Sequence, residues 1–186
     1  MNPIVNKSDF EDLTTNLKDL AYSYLEKYNP SKQQLKVYLL KKYLTKIKGT
    51  TSKKEVSSII DEIVLNLEKK RIINDQLFSD SKARLFLKRG YSINKINQSL
   101  RNKGIDNSYI KETIEKIKEN EIEPDFVSAL KLCKRRRIGP IRPEENRELF
   151  YKKDMGILAR SGFSFDLSKR ILDLEKNEFL KLIKLI

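Results

Sequence analysis

One short pattern occurs twice in this chain: Leu100-Arg-Asn-Lys-Gly104-Ile105-Asp106 is repeated 58 residues later as Leu158-Ala-Arg-Ser-Gly162-Phe163-Ser164. In both copies a leucine is followed, after three residues, by a glycine, an apolar residue and a polar residue. A glycine at this place can adopt the left-handed conformation that ends a helix, and the polar residue can cap the next helix. The pattern therefore predicts two helix-turn-helix units.

The N-terminal third carries strong helix signals of its own. Six aliphatic residues recur at helical spacing on one stripe: Val56, Ile59, Ile60, Ile63, Val64 and Leu67. Capping-box patterns at Ser8 with Glu11, Ser31 with Gln34 and Ser52 with Glu55 predict three helix starts, the first helix running to about Tyr28. This third is interpreted as a degenerate copy of the unit, with Leu39 and Tyr43 replacing the leucine and glycine and a longer Lys46–Lys54 connection.

Further helices are predicted between glycine and proline breaks, followed by a short helical tail. Their expected extents are about 76–88, 93 to the break at Gly104, a start capped by Asp106 or Ser108 through 117, 126–137, 144–158, and 164–174. Two prolines interrupt the helical pattern between Ile138 and Pro143. We therefore expect an all-α fold: an elongated, curved array of three tandem three-helix repeats. The expected boundaries are residues 1–75, 76–123 and 124–186, the last with a C-terminal extension.

Composition narrows the function classes. The 186 residues include 39 Lys and Arg against 26 Asp and Glu, a net charge of +13, which favours a polyanionic partner. A composition rich in Lys, Asn and Ile also results from A+T-rich coding, so a solvated surface is the alternative interpretation. The chain has no His and a single cysteine, Cys133, which excludes histidine-based catalysis, an internal disulfide and a Cys/His zinc site. We expect no enzymatic activity, no cofactor and no metal.

The N-terminus lacks a signal-peptide pattern, and no stretch approaches the roughly 18 uninterrupted apolar residues of a membrane span. We therefore expect a soluble, cytoplasmic protein without a membrane partner.

Two basic clusters are candidate binding sites, and a solvated helix face is the alternative for both. Arginine forks match the geometry of phosphate oxygens. Because consecutive residues point in different directions around a helix, some of the four cations from Lys134 to Arg137 should lie near its inner face. The first cluster is Lys131, Lys134, Arg135, Arg136, Arg137 and Arg142; the second is Lys88, Arg89, Lys95, Arg101 and Lys103.

Tyr91, Phe163 and Phe165 stand where helix turns need an apolar cover, so packing is favoured over base stacking for these rings. Cys133 is adjacent to cations that could lower its pKa, but we favour a small core residue over a reactive thiol. No phosphate-binding glycine loop, Walker lysine or nucleophile elbow occurs in the sequence.

Several weak motifs in a fixed order resemble a known family. They are Asn74-Asp75 before Phe78, Gly90-Tyr91 leading to Ile96, Leu100 and Lys103-Gly104-Ile105, Ala129 before the basic run, and Gly162-Phe163-Ser164. Together, over about residues 17–174, they resemble the bacterial RecX regulatory proteins. Segments 135–140 and 156–163 look most like the alphaproteobacterial branch. The chain departs from the family at Asn74, where Asp is frequent, and in the extended Lys46–Lys54 connection.

The resemblance implies a non-enzymatic regulator of the RecA recombinase, and we expect this protein to act as a monomer. It would bind the RecA filament on single-stranded DNA and inhibit ATP hydrolysis, strand exchange and co-protease activity, and so regulate DNA repair and the SOS response. The family offers no catalytic residues to transfer, so the candidate residues above rest on charge alone.

The main alternative is a helix-turn-helix protein that acts on DNA directly, which predicts sequence preference and usually a dimer. A carboxylate–metal nuclease is disfavoured, because Asp61-Glu62 and Glu144-Glu145 look like surface pairs.

Overall fold

The computed structural model describes residues 7–47 and 52–186 of the chain, and the regular structure in these ranges is helical. The α-helices are α1 Lys7–Leu25, α2 Lys32–Lys42, α3 Lys53–Lys69, α4 Asp75–Lys88, α5 Ile93–Arg101, α6 Asn107–Asn120, α7 Pro124–Arg136, α8 Glu144–Arg160, α9 Phe165–Leu172 and α10 Lys176–Lys184. A π-helical turn, Tyr43–Ile47, follows α2, and a 3₁₀ turn, Gly139–Ile141, lies between α7 and α8. The all-α fold class is confirmed.

The chain divides into two compact units. The first contains the described residues up to Phe78 together with Lys103–Ile105, and the second contains Ser79–Asn102 and Asp106–Ile186. The curved array of three repeats, with boundaries after residues 75 and 123, stays a prediction.

The first unit is built around the aliphatic stripe of α3. All six residues of the stripe are at least 96% buried, and they pack with Leu17, Leu35 and Leu39 of α1 and α2. Burial of such side chains contributes roughly 1.5–3 kcal/mol each relative to exposure. The predicted amphipathic helix and its buried face are therefore confirmed.

Two of the three predicted capping boxes are confirmed. The Ser31 hydroxyl accepts from the Gln34 amide (3.2 Å) while the Gln34 side chain accepts from the Ser31 amide (3.1 Å). Ser52 and Glu55 form the same reciprocal pair. The third capping box is wrong, because Ser8 lies inside α1 rather than before it. The predicted end of α1 near Tyr28 is also wrong, since the helix ends at Leu25. Part of the Lys46–Lys54 connection lies outside the described residues.

The second unit has its own core, formed largely by α7 and the helices that follow it. Its most deeply buried side chains include Leu130, Leu132, Leu158, Ile171 and Phe179. Cys133 is fully buried among them, and desolvation, with a further contribution from the charge of Asp154, raises the pKa of its thiol to about 12. The prediction of a core cysteine is confirmed.

The three aromatic residues predicted to cover turns have different environments. Phe163 is buried after the Gly162 turn, and Tyr91 is half-buried with its ring stacked on Phe86 at 5.5 Å between centroids. Phe165 is 67% exposed, so the expectation that it covers a turn is wrong. The turn between α8 and α9 is already filled by Phe163, which leaves Phe165 on the outer face of α9.

None of the helices within residues 7–47 and 52–186 is long and apolar enough to cross a membrane. In the same ranges, no group of three or more Cys, Asp and Glu side chains is arranged to hold a metal ion.

Candidate anion-binding groove

The N-terminus of α5 is where three parts of the second unit meet. The Ser92 hydroxyl caps α5 by accepting from the Lys95 amide (3.1 Å). The Ile93 amide donates to Asp125 Oδ1 at the start of α7 (2.7 Å), and the Ser92 amide donates to the Ser161 carbonyl at the end of α8 (3.2 Å). These hydrogen bonds place the first turn of α5 beside the C-terminal end of α8.

Two glycine turns allow this close packing. Gly90, between α4 and α5, has a φ of +69°, and a Cβ there would lie 2.6 Å from the Leu132 amide nitrogen and the Ser128 carbonyl oxygen of α7. Gly162, between α8 and α9, has a φ of +89°, and a Cβ there would lie 3.1 Å from the Lys95 amide nitrogen. Both turns therefore need glycine for conformation and for space. Through them, α5 approaches α7 and α8 closely.

The approach forms an open cavity of about 300 Å³, here called the basic groove. Its lining residues are Tyr91, Lys95, Arg135, Arg136, Ile157, Arg160 and Ser161. Four of these seven residues are cations, and none is a carboxylate. Lys95 comes from the first turn of α5, Arg135 and Arg136 from the last turn of α7, and Arg160 from the last residue of α8.

The four cations have no carboxylate partner within 4.0 Å in the part of the chain that the structure describes. By contrast, Lys116 on α6 bridges Asp80 and Glu112, and Arg170 on α9 pairs with Glu123. The sequence explains the difference, because residues 81–105 and 126–143, which supply Lys95, Arg135 and Arg136, contain no Asp or Glu. A concentration of unpaired cations attracts anions to the groove.

Helix dipoles explain only part of this arrangement. Arg135, Arg136 and Arg160 stand at helix C-termini, where a cation interacts favourably with the helix dipole. Lys95, however, lies in the first turn of α5, where the dipole disfavours a cation. An anion in the groove would interact favourably with all four side chains and with the N-terminal end of α5.

The structure therefore joins members of both sequence clusters. Lys95 of the second cluster and Arg135 and Arg136 of the first line the basic groove, and Arg101 lines a neighbouring cavity. The other members lie elsewhere: Lys134 and Arg137 are exposed beside the groove, Lys131 is half-buried on α7, Lys88 and Arg89 are exposed at the end of α4, and Lys103 belongs to the first unit.

The expectation that some of the four consecutive cations approach the inner face is wrong. All of Lys134, Arg135, Arg136 and Arg137 are exposed, because α7 ends at Arg136 and the chain turns away at Arg137 with a φ of +54°. The inner face of this last turn is instead occupied by Leu132 and Cys133.

Arg142 has a structural environment of its own. Its Nε and Nη2 donate to the carboxylate of Asp154 (2.6 and 2.7 Å), which is 1% exposed and also accepts from the Gly139 amide (2.9 Å). These hydrogen bonds, followed by the charge of Asp154, raise the pKa of the Arg142 guanidinium. Because its fork is occupied by Asp154, Arg142 is not part of the proposed contact surface.

Arg160 lies outside both basic clusters of the sequence. The internal repeat gives no signal for it, because the residue two positions before Gly104 in the other copy is the uncharged Asn102. The Gly162 turn packs on the start of α5. A side chain two residues before this turn is therefore held close to the side chains of α5.

No family model matches the sequence, but individual proteins do. Regulatory protein RecX of Myxococcus xanthus is 30% identical over 161 residues, which cover 86% of this chain and 85% of that protein. The RecX regulatory proteins of Clostridioides difficile and Corynebacterium efficiens are 27% and 32% identical over 133 and 123 residues. These matches cover 69% and 62% of this chain, and 58% and 57% of those proteins.

The fold has a counterpart among solved structures. A crystal structure of regulatory protein RecX matches with a TM-score of 0.60 and 23% identity, covering 89% of this chain and 74% of that chain. This likeness concerns the fold, whereas the Myxococcus match extends over most of both sequences. The chain therefore belongs to the RecX family of regulatory proteins.

Proposed function

We propose that this protein regulates a RecA-type recombinase by binding its filament on single-stranded DNA, with the basic groove holding backbone phosphates of the strand. The observation that carries the proposal is the convergence of Lys95, Arg135, Arg136 and Arg160 on one groove without a carboxylate. Membership of the RecX family supports the RecA filament as the target over naked nucleic acid.

The chemistry of the groove fits a phosphodiester backbone. Each phosphate neutralised by a cation releases bound counterions, which favours binding and makes it dependent on salt. Three of the four cations are arginines, whose forked guanidinium groups can hold two oxygens of one phosphate. The net charge of +13 on the whole chain adds long-range attraction to a polyanionic filament.

The regulation would be inhibitory and would need no catalysis by this chain. A protein attached to the strand and to the recombinase restrains the subunit movements that accompany ATP hydrolysis and strand exchange. We propose that ATPase, recombinase and co-protease activities all fall as this protein binds as a monomer, in the cytoplasm where chromosomal DNA is repaired.

The test is ATP hydrolysis by the cognate RecA on single-stranded DNA during titration with this protein. Hydrolysis should fall at concentrations too low to coat the same DNA without RecA. The variant R135Q/R136Q/R160Q should need about tenfold more protein for half-inhibition, since losing about 1.4 kcal/mol of binding weakens affinity tenfold. The matched control is K176Q/K181Q/K184Q, which removes the same charge from α10 and should inhibit like the natural protein.

Unchanged hydrolysis over the whole titration would overturn the proposal. If the protein then bound duplex DNA with a sequence preference, the direct helix-turn-helix function would be favoured instead.

A further inference from the structure

A second cavity adjoins the basic groove and has a different chemistry. It measures about 490 Å³ and is here called the amide groove. Its lining residues are Asn94, Lys95, Asn97, Gln98, Arg101, Asn102, Ala159, Arg160 and Gly162. Lys95 and Arg160 line both cavities, so the two grooves share a wall.

The carboxamides belong to one face of α5. Asn94, Asn97, Gln98 and Arg101 follow the spacing i, i+3, i+4 and i+7, which places side chains in one row along a helix. Ile96 and Leu100 on the opposite face are fully buried and fix the rotation of α5. The row is therefore held toward the cavity by the packing of the helix and not by the side chains themselves.

Carboxamides complement groups other than phosphate. A phosphate offers only acceptors, whereas a carboxamide offers donors and an acceptor, as the edge of a nucleobase does. No carboxylate lines the amide groove, so a strand with its phosphate in the basic groove meets no repulsion there. Arg101 and Arg160 add guanidinium planes on which an unstacked base can stack.

Asn97 has an unmet hydrogen-bonding capacity. Its Oδ1 atom is shielded from water and accepts no hydrogen bond from the described part of the chain. A buried acceptor without a hydrogen bond is energetically unfavourable. Rotation of this amide toward a donor in the cavity would remove that cost. The Gln98 Oε1 atom lies 3.4 Å from Lys95 Nζ, which links the row of amides to the shared cation.

We infer that the amide groove receives an unpaired nucleobase of the same strand whose phosphate lies in the basic groove. The inference rests on the proposed function, and it specifies single-stranded nucleic acid because the bases of a duplex are stacked and paired and do not enter a cavity. The phosphate contacts supply affinity, and the amide contacts distinguish a strand with bases from a bare sugar-phosphate chain.

Fluorescence anisotropy with two labelled strands of equal length tests the inference. One strand is oligothymidylate and the other is the same backbone with abasic sites throughout. The natural protein should bind oligothymidylate at least about tenfold more tightly, which corresponds to about 1.4 kcal/mol. The variant N94A/N97A/Q98A should bind both strands alike, with the salt dependence of the natural protein.

Two further variants make the outcome interpretable. N94A/Q98A changes only exposed positions and should reduce the preference for bases without affecting the fold. R135Q/R136Q should weaken binding to both strands by the same factor and so retain the preference, because it leaves the shared Lys95 and Arg160 in place.

Equal affinity of the natural protein for the two strands would overturn the inference and leave the phosphate contacts standing. A preference that survives in N94A/N97A/Q98A would overturn the assignment of these residues. Failure to bind either strand would overturn both the amide groove and the proposed DNA contact, whereas the ATPase titration tests the action on RecA separately.

Discussion

The Gly162 turn packs against the hydroxyl of Ser92, because a Cβ at position 162 would overlap the Ser92 Oγ atom. The same hydroxyl caps α5 by accepting from the Lys95 amide. The turn that ends α8 is thus in contact with the residue that starts α5. This contact positions Arg160 and Lys95 on the two sides of the basic groove.

The Gly162→Ala substitution should therefore destabilise the protein. The alanine would have to adopt a φ of +89° and displace Ser92, and we expect the free energy of unfolding to fall by about 2–3 kcal/mol. Gly156→Ala on the same helix is the control. A Cβ there meets only the end of the Arg160 side chain at 3.4 Å, and alanine favours a helix interior by roughly 0.5–1 kcal/mol. Urea unfolding measures the free energy of unfolding of both variants. Equal values for Gly162→Ala and Gly156→Ala would contradict the packing of Gly162 on Ser92.

Salt dependence should identify the cations that contact phosphate. For single strands the logarithm of the binding constant falls with the logarithm of salt concentration by about 0.7 per phosphate contact. R135Q/R136Q/R160Q should therefore reduce this slope by about 2. K176Q/K181Q/K184Q should leave it unchanged. R137Q changes an exposed neighbour outside the groove and should reduce the slope less than R136Q does. A larger reduction for R137Q than for R136Q would mean that the phosphate contact lies outside the groove.

Asp125 should make stability fall as pH rises. Burial raises the pKa of its carboxyl above the ordinary 3.8, against smaller opposite effects of the Ile93 amide and Lys118. The native state therefore holds this proton more tightly than the unfolded state. Its contribution is complete below pH 3.8 and is lost as pH rises through the folded pKa.

Asp125→Asn keeps an oxygen that can accept from the Ile93 amide but removes this titration. The variant should gain stability relative to the natural protein as pH rises above 3.8 and through the raised pKa of the folded state. Urea unfolding at a series of pH values measures the difference, with Asp12→Asn on the exposed face of α1 as the control. Parallel curves for the natural protein and Asp125→Asn would contradict the raised pKa.

Arg142→Gln should act on stability and not on DNA binding. It leaves the buried Asp154 carboxylate without its ionic partner, and we expect the free energy of unfolding to fall by about 3 kcal/mol. Arg170→Gln breaks an ion pair whose side chains are 53% and 55% exposed, so the loss should be smaller. The salt dependence of DNA binding should stay the same for Arg142→Gln; a reduced slope would return Arg142 to the contact surface.

Helix boundaries could be predicted where the signal is local. The reciprocal caps at Ser31 with Gln34 and at Ser52 with Glu55 involve residues three apart, so sequence spacing alone identifies them. The glycine turn at Gly162 could be predicted for the same reason, because its pattern lies within seven consecutive residues, Leu158 to Ser164. Ser8 shows the limit of such patterns, because a capping sequence next to good helix formers does not prevent the helix from starting earlier.

The basic groove could be predicted only in part, because it depends on contacts between distant residues. Charge identified Arg135 and Lys95, but 40 positions separate them in the sequence and no local pattern indicates that they share a cavity. Their proximity follows from the packing of the Gly90 turn on α7 and from the hydrogen bond between Ile93 and Asp125. Arg142 belonged to the same charge cluster, yet a buried carboxylate 12 residues later binds it.

The hydrogen bonds at the start of α5 have a thermodynamic consequence for ligand binding. Asp125 of α7 and Ser161, directly after α8, both hold the first turn of α5, so the three helices that carry the groove's cations are fixed in place when the protein folds. A ligand therefore meets a preorganised site and loses little affinity to ordering it. Since only the folded chain presents that site, a bound polyanion should raise the melting temperature, and the rise should grow with the logarithm of its affinity.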